Sequence, residues 1–372
     1  MILRSIHLRQ FKNYPDSRVE LCPGINCFAG RNGSGKTNLL EAVYYLSFTK
    51  SVFGSHDHQN IQLGQNWMSV EGRYLKREEE EIIRMSVNDG ERKRMEVNGS
   101  EVRKYAGHIG RFPLVMISPN DLMLITEGTE ERRKFLDGMI AQSDPAYLNC
   151  LLAYSKVIEE RNTQLRIFAS ENRVDELLLS SFDEQICLYA PEIYDKRKKF
   201  LEIFLPEFRS LYQQISESAE EVEVIYNSGL HEASMRELLQ TSKYADLSSQ
   251  RTTKGIHRDD LTFICGTFPL KRSGSQGQQK SFLIALKLAQ YAFLKAATGL
   301  TPLLLLDDIF EKLDRERLQH LHSLIASHAF GQILITDTQI ERMREVFSDM
   351  PGVEVNYFMV EKGNIISAST IP

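Results

Sequence analysis

Apolar and polar residues alternate near the start of the chain, and the pattern then becomes helical. Ile2–Leu8 alternates as a half-buried strand does, and Ile25–Ala29 is a short, continuous apolar run. Farther along, Leu39, Val43 and Leu46 fall on one face of a helix. The pattern predicts two strands followed by a helix in this first segment.

Residues 68–104 have the pattern of a β-meander. Met68–Leu75, Ile82–Val87 and Arg94–Val97 are rich in residues that favour strands. Asn88-Asp89-Gly90 and Asn98-Gly99 supply the residue types that adopt the positive φ of tight hairpin turns. We therefore expect antiparallel strands joined by short turns.

The middle of the chain, from about Glu130 to Lys243, has a helical pattern with few glycines. Its clearest runs are Tyr147–Ala169 and Glu184–Phe204, and a loop rich in Ser and Thr is expected near 241–253. Proline cannot donate a helical hydrogen bond, so three prolines predict separate helices and no long coiled coil. These are Pro145, Pro191 and Pro206.

Strand and helix patterns alternate in the last third of the chain, which is typical of a mainly parallel α/β sheet. The predicted elements are Leu261–Cys265, Ser281–Ala297, Leu303–Leu306, Arg315–Ser327, Ile333–Thr336 and a closing hairpin of Val353–Val360 and Asn364–Ser367. We predict an α/β head assembled from residues 1–117 and 252–372, with an inserted helical domain at 118–251.

Composition and charge narrow the class of protein. Hydrophobic residues make up 42% and charged residues 26%, and no apolar run is long enough to span a bilayer. Charges at Arg4, Arg9 and Lys12 argue against a signal peptide, so we expect a soluble, cytoplasmic protein without membrane contact. The five cysteines form no Cys-x-x-Cys pair, which favours free thiols over disulfides or zinc ligands. With a net charge of −5, any DNA contact must come from a local basic patch.

A phosphate-binding loop follows the second predicted strand and precedes the first helix. Its glycines permit the tight path that points backbone N–H groups at phosphate oxygens. We expect Lys36 to reach the β- and γ-phosphates of ATP and the Thr37 hydroxyl to bind Mg²⁺. The predicted nucleotide-binding residues are Gly30, Arg31, Asn32, Gly33, Ser34, Gly35, Lys36, Thr37 and Asn38.

Two carboxylates end the apolar run Leu303–Leu306. An apolar run followed by Asp-Asp is, by itself, equally consistent with a helix cap. Together with the phosphate loop it predicts that Asp307 lies on the Mg²⁺ side and that Asp308 orients or deprotonates the attacking water. We therefore expect Lys36 and Asp308 to be the catalytic residues.

The segment Ser275, Gln276, Gly277 and Gln278 stands at the start of a long helix. Ser275 suits a helix N-cap, yet the position shortly before the acidic strand resembles the signature motif of ABC ATPases. That resemblance implies that Ser275 and Gly277 bind the γ-phosphate of ATP held by a second subunit. Asp314 resembles the D-loop residue of the same superfamily.

The chain as a whole resembles the RecF family. The family pattern is followed at Phe11–Tyr14 (FKNY), at Gly30–Ala42, at Ser118–Leu122, at Arg132–Asp137 and at Gly255–Leu261 (GIHRDDL). The resemblance implies an ABC-type ATPase head related to SMC proteins but without their long coiled coil. It also implies ATP and Mg²⁺ as cofactors and an ATP-dependent homodimer.

The same resemblance implies a role in DNA repair and replication maintenance. It implies binding to double-stranded DNA and to single/double-strand junctions, with RecR and RecO as partners and help to RecA at single-strand gaps. Many ABC ATPases carry a switch histidine where this chain has Thr336 and Asp337, so a weak, DNA-dependent ATPase is expected.

Two other classes compete with this interpretation. A transporter's ATPase subunit is disfavoured because a long helical segment separates the phosphate loop from the signature. A small-molecule kinase leaves Ser275 and Asp314 without roles. Basic runs at Arg92–Arg94 and Lys196–Lys199 are more often solvated faces than DNA contacts, and the polar stretch His56–His58 is more often a loop than a metal site.

Overall fold

The computed structural model describes residues 1–54, 56–216, 220–309, 323, 330–347 and 352–367. The chain divides into two compact units. The first contains Met1–Asp121, Gln214–Ser216 and Leu283–Pro372, and the second contains Leu122–Gln213 and Glu217–Phe282. Residues 252–282 thus cluster with the second unit, whereas the sequence placed them in the head; the predicted boundaries stay a prediction.

The strands and helices are numbered along the chain. The strands are β1 (Ile2–Phe11), β2 (Tyr14–Glu20), β3 (Ile25–Ala29), β4 (Trp67–Lys76), β5 (Glu79–Asn88), β6 (Arg94–Val97), β7 (Ser100–Glu101), β8 (Leu114–Ile117), β9 (Val222–Asn227), β10 (Asp260–Cys265), β11 (Phe268–Pro269), β12 (Leu303–Leu306), β13 (Ile333–Asp337), β14 (Val355–Glu361) and β15 (Asn364–Ser367). The helices are α1 (Lys36–Phe48), α2 (Met123–Thr126), α3 (Thr129–Ser143), α4 (Pro145–Glu171), α5 (Glu176–Ser216), α6 (Met235–Ser249), α7 (Leu270–Ser273), α8 (Gln276–Thr298) and α9 (Ile340–Phe347).

One sheet of the first unit is an antiparallel meander in the order β2-β1-β4-β5-β6-β7. Met68 and Val70 on β4 and Met85 on β5 point into the core, whereas Glu71 on β4 and Arg84 and Ser86 on β5 lie partly in solvent. The predicted meander over residues 68–104 is confirmed.

The other sheet of the first unit has the order β15-β14-β3-β13-β12-β8 and is parallel except for β15. All residues of β3, β12 and β13 are buried, which explains why these strands read as continuous apolar runs. Because β3 lies between β13 and β14, the loop that follows it opens at the centre of the carboxyl edge.

Helix α1 packs its predicted apolar face into the core of the first unit. Leu39, Val43 and Leu46 are fully buried there with side chains from both sheets. The helix comes so close to β4 that a Cβ added to Gly72 would lie 2.6 Å from a methyl carbon of Leu46. A side chain at position 72 would therefore require the buried Leu46 side chain to shift.

The second unit contains α3 to α6 and a small antiparallel sheet in the order β11-β10-β9. Two predictions for this region were wrong: α6 occupies most of the expected loop at 241–253, and β9 is a strand within the region expected to be helical. The capping box formed by Ser234 and Glu237 starts α6.

The prediction that Pro191 and Pro206 divide the helical region was also wrong, because α5 runs through both of them. Both prolines lie on the exposed side of the helix, so water can bond the carbonyls that they leave free. The opposite face is buried at a helical spacing, which holds the helix together across the prolines. Its buried residues include Ile186, Ala190, Ile193, Arg197, Phe200, Phe204 and Phe208.

Two fully buried arginines form ion-pair networks inside the second unit. Arg197 bonds Asp137 and Asp259, with N–O distances of 2.9 and 2.8 Å. Arg161 bonds Asp183 and Asp246, at 2.8 Å each. Burial of an arginine is tolerated only with such partners, so these charges belong to the architecture of the unit.

All five cysteines are free, as predicted: three are buried and two are partly exposed. Among the described residues, no helix combines the length and the apolar character that crossing a membrane requires.

Candidate functional site

The phosphate loop links β3 to α1, and its backbone path depends on glycine. Gly33 and Gly35 have φ values of 78° and 118°, which other residues adopt only with strain. A Cβ on Gly30 would lie 2.4 Å from the carbonyl oxygen of Val360 on β14. The three glycines therefore fix the loop between the central strands and the start of the helix.

Lys36 is buried at the first position of α1, and its Nζ lies against the loop itself. Nζ donates to the carbonyl oxygens of Gly30 at 2.9 Å and Arg31 at 3.4 Å. In the described part of the chain, no group bonds the buried hydroxyl of Ser34. A cation and a hydroxyl without a hydrogen-bond partner thus lie in the same loop, and both can bond an anion.

Asp307 ends β12 next to the loop, and two threonines contact it. The Thr37 hydroxyl lies 3.0 Å from both carboxylate oxygens, and the Thr336 hydroxyl donates to one of them at 2.8 Å. Burial raises the pKa of Asp307, against the lowering effect of both hydroxyls and of Lys36. The predicted pair Thr37 and Asp307 is brought together by the parallel arrangement of β3 and β12 around β13.

Asp308 has a left-handed backbone, with φ of 45°, which is unusual for a residue other than glycine. Its N–H donates to the Thr336 hydroxyl at 2.9 Å, and its carboxylate lies 3.9 Å from Nζ of Lys36. Thr336 therefore bonds both carboxylate residues. The role of Thr336 was not predicted, because the only signal for it in the sequence is its place near the end of a buried strand.

The other predicted loop residues differ in their surroundings. Arg31 and Asn32 are exposed at the tip of the loop. Asn38 donates its side-chain amide to Asn13 at 2.7 Å, so this side chain serves a contact within the protein. Next to the loop, the backbone carbonyl of Asp337 accepts from the Gly30 N–H at 3.2 Å.

The residues of the loop and of the strand end fit a nucleotide with a divalent cation. Magnesium prefers oxygen ligands, and Thr37 and Asp307 present a hydroxyl and a carboxylate side by side. Lys36 and the first N–H groups of α1 supply the positive charge that a triphosphate needs. Because Asp307 lies beside Thr37 on the cation side, the neighbouring carboxylate of Asp308 is the one that can bond a water molecule.

The signature segment lies at the start of α8, where Ser275 caps the helix. Its hydroxyl accepts from the Gln278 N–H at 3.1 Å, and the Gln278 side chain accepts from the Ser275 N–H at 2.7 Å. Gln278 also donates to Glu220 at 2.6 Å, while Ser275 and Gln276 are exposed and Gly277 is partly exposed. The helix N-cap and a segment open to a phosphate are thus compatible at this position.

Asp314, the predicted D-loop residue, lies outside the described residues.

Some residues of the basic runs at 92–94 and 196–199 form ion pairs within the protein. Lys93 bonds Asp57 at 3.1 Å and Arg94 bonds Glu91 at 3.1 Å, while Arg197 is the buried node of the second unit. In addition, Asp57 accepts from Tyr45, so the polar stretch at 56–58 is tied to α1. The described residues contain no cluster of three metal-ligating side chains.

A family model described as the RecF/RecN/SMC N terminal domain matches residues 2–362. With the fold and the site described above, this places the chain among the ABC-type and SMC-like ATPase heads. Two curated relatives are both named DNA replication and repair protein RecF. The one from Flavobacterium johnsoniae is 43% identical over 93% of this chain and 96% of its own length, and the one from Bacteroides fragilis is 41% identical over 98% of each. The chain belongs to the RecF family of DNA replication and repair proteins.

Solved structures agree with this assignment. The structure of a recombination mediator protein, RecF-ATP in the RecFOR pathway, has a TM-score of 0.88 and 28% identity, covering 98% of this chain and 97% of that chain. An SMC head domain with an extended coiled coil from Pyrococcus furiosus has a TM-score of 0.57 at 16% identity, covering 98% of this chain and 96% of that chain. The second match shows the fold alone. The predicted fold class is confirmed.

Proposed function

We propose that this chain is an ATP-dependent switch that closes as a homodimer on DNA and opens when ATP is hydrolysed. The observation that carries the proposal is the convergence of Lys36, Thr37, Asp307 and Asp308 at the carboxyl edge of one parallel sheet. The solved RecF-ATP relative supports nucleotide binding. The RecF name of the curated relatives supports the DNA role.

Each group at the site has a chemical task. The loop N–H groups and Lys36 bind the phosphates, and Thr37 and Asp307 hold the magnesium ion, which neutralises phosphate charge when bound. Asp308 orients the attacking water and accepts its proton, and Thr336 fixes the backbone of Asp308. No switch histidine stands at Thr336 or Asp337, which favours slow hydrolysis. The DNA role proposed for the chain makes that hydrolysis DNA-dependent.

The signature segment makes the switch a property of two chains. Ser275 and Gly277 of one chain bind the γ-phosphate held by Lys36 of the second chain, so ATP becomes part of the interface, and Asp314 lies at the D-loop contact. Loss of the γ-phosphate contact loosens the pair and sets the residence time on DNA. The solved relative acts in the RecFOR pathway, which supports RecR and RecO as partners, with RecA loading at single-strand gaps as the result.

The transporter alternative is not favoured, because the curated relatives that match over nearly the whole chain carry the RecF name. A small-molecule kinase explains neither the signature segment nor these relatives. We therefore propose double-stranded DNA and single/double-strand junctions as the binding substrates.

The test is a DNA titration with and without ATP and Mg²⁺ at fixed salt, on duplex, single-stranded and gapped DNA. Wild-type protein should bind gapped or duplex DNA at least about tenfold more tightly with ATP. Lys36→Met should lose the ATP effect through loss of nucleotide binding, and Ser275→Arg should retain nucleotide binding but fail to dimerise in light scattering. A Ser275→Arg protein that dimerises normally with ATP would contradict the two-chain site. A DNA affinity that is the same with and without ATP would contradict the switch.

A further inference from the structure

The turn between β1 and β2, Phe11–Tyr14, lies against the phosphate loop and helix α1. Phe11 is fully buried in the core, and Lys12 forms an ion pair with the fully buried Glu41 of α1. The carboxylate of Glu41 also accepts from the Ser51 hydroxyl. Phe11 and Lys12 therefore hold the turn against the core and α1, and the residues that follow them contact the loop.

The next two residues of the turn bond carbonyl oxygens of the loop. Asn13 donates from Nδ2 to the oxygen of Ser34 at 2.8 Å, and its Oδ1 accepts from the Asn38 side chain at 2.7 Å. The buried Tyr14 donates its hydroxyl to the oxygen of Gly35 at 2.9 Å. Neither side chain belongs to the phosphate-binding sequence.

A second hairpin, between β14 and β15, reaches the same place. The Gly363 N–H donates to the oxygen of Ser34 at 3.1 Å, and the Ser17 hydroxyl donates to the oxygen of Gly363 at 2.7 Å. Gly363 has φ of 78°, and a Cβ added to it would lie 1.9 Å from the carbonyl oxygen of Asn13. The two hairpins thus meet directly beneath the loop, in a space that only glycine fits.

The geometry of the peptide bond gives these contacts a consequence. In a trans peptide the C=O and the following N–H point in opposite directions. Bonds that fix the carbonyls of Ser34 and Gly35 on one side therefore fix the N–H groups of Gly35 and Lys36 on the other. Those are N–H groups that a phosphate loop turns toward its ligand.

We propose that Asn13, Tyr14 and the Gly363 amide form a loop clamp, a set of positioning groups that aims the N–H groups of the phosphate loop before nucleotide arrives. The proposal rests on the proposed ATP site, and it assigns a role to the Phe11–Tyr14 segment. A preformed loop loses less conformational entropy on binding, so the clamp raises nucleotide affinity without touching the nucleotide.

Amide hydrogen exchange without nucleotide tests the clamp independently of ATP. Asn13→Ala and Tyr14→Phe should speed exchange across residues 31–37, the first at least about fivefold. The matched control is Asn26→Ala. Asn26 is also an asparagine of the first unit whose side chain makes two hydrogen bonds. Its oxygen accepts from the Cys22 N–H and its amide donates to the Cys22 oxygen, at 3.0 Å each. Its substitution should speed exchange near residues 22–26 and leave 31–37 as in wild type.

ATP affinity with Mg²⁺, measured by calorimetry on the same proteins, gives the second result. Asn13→Ala should bind about tenfold more weakly and Tyr14→Phe about threefold more weakly, while Asn26→Ala should stay within about twofold of wild type. Wild-type exchange at 31–37 in both clamp variants overturns the clamp, as does faster exchange with unchanged ATP affinity. If wild-type protein binds no ATP, the proposed ATP site fails, and exchange still decides whether the loop is held. Tyr14→Phe, which removes one oxygen atom, keeps the test valid if Asn13→Ala does not fold.

Discussion

The arginine networks of the second unit and the phosphate loop of the first unit surround their buried charges with different partners. In the second unit, Arg161 and Arg197 are fully buried, and each is bonded to two carboxylates. At the phosphate loop, Lys36 and Asp307 are almost as well buried, but their hydrogen bonds go to backbone carbonyls and hydroxyl groups, and the Asp308 carboxylate lies 3.9 Å from Lys36. Burial alone therefore does not separate structural charges from functional ones.

The partners make the difference. Each buried arginine already bonds carboxylates of its own unit at 2.8 to 2.9 Å, whereas a phosphate and a cation would give Lys36 and Asp307 closer partners of opposite charge. We therefore expect the arginine networks to stabilise the second unit and the loop to bind a ligand. Substitutions in the two places should therefore have separable effects.

The largest expected effect is on the stability of the second unit. Arg197→Met leaves Asp137 and Asp259 without their shared cation, and we expect a loss of about 3–5 kcal/mol in the free energy of unfolding. Urea denaturation measures it. The neighbouring Lys198 is exposed on the same helix, so Lys198→Met should cost less than about 0.5 kcal/mol. Equal losses for the two variants would contradict a structural role specific to Arg197.

The second effect is on hydrolysis in the first unit. Asp308→Asn should keep ATP binding and slow turnover by about 100-fold, because an amide accepts a proton poorly. Thr336→Val removes the hydroxyl that bonds the Asp308 N–H and the Asp307 carboxylate, and about a tenfold slowing is expected. Thr336→Ser keeps the hydroxyl and should stay near the wild-type rate. Turnover is measured by phosphate release with DNA present, and wild-type rates in Asp308→Asn would remove Asp308 from the mechanism.

The smallest effect is a pH dependence of stability in the second unit. Burial lowers the pKa of His257 to about 4, and its ring nitrogens bond Tyr154 and the Thr252 oxygen. As pH falls, the unfolded state therefore binds a proton at a higher pH than the folded state does. The free energy of unfolding keeps its full value above the unfolded-state pKa of His257 and decreases as pH falls toward the folded-state pKa. When the pH falls from about 7 to about 5.5, this histidine should lower the free energy of unfolding by about 1 kcal/mol.

His257→Gln should flatten the pH dependence of unfolding by that amount. His56→Gln, at an exposed position, serves as the control and should leave the dependence as in wild type. Denaturation curves at the two pH values measure both variants. A His257→Gln protein that keeps the full wild-type slope would show that another group titrates.

Features formed by residues close together in the sequence were predicted better than contacts between residues far apart in the sequence. The phosphate loop, the acidic strand and the hairpin turns are local patterns, and the structure places them as predicted. Arg197 looked like one residue of a surface charge run, because its partners at 137 and 259 are distant in sequence. The loop clamp was missed for the same reason. Pro191 and Pro206 were misjudged because packing of a whole helix face outweighed their local effect.

The position of β3 has a consequence during protein synthesis. Among the described strands, β3 pairs only with β13 and β14, so each residue of β3 has its sheet partners more than 300 residues later in the chain. While a ribosome translates the intervening segments, the nascent chain already displays GRNGSGKT but has no sheet to hold it. The sheet that supports this loop is therefore completed only near the end of translation, after the whole second unit has been synthesised.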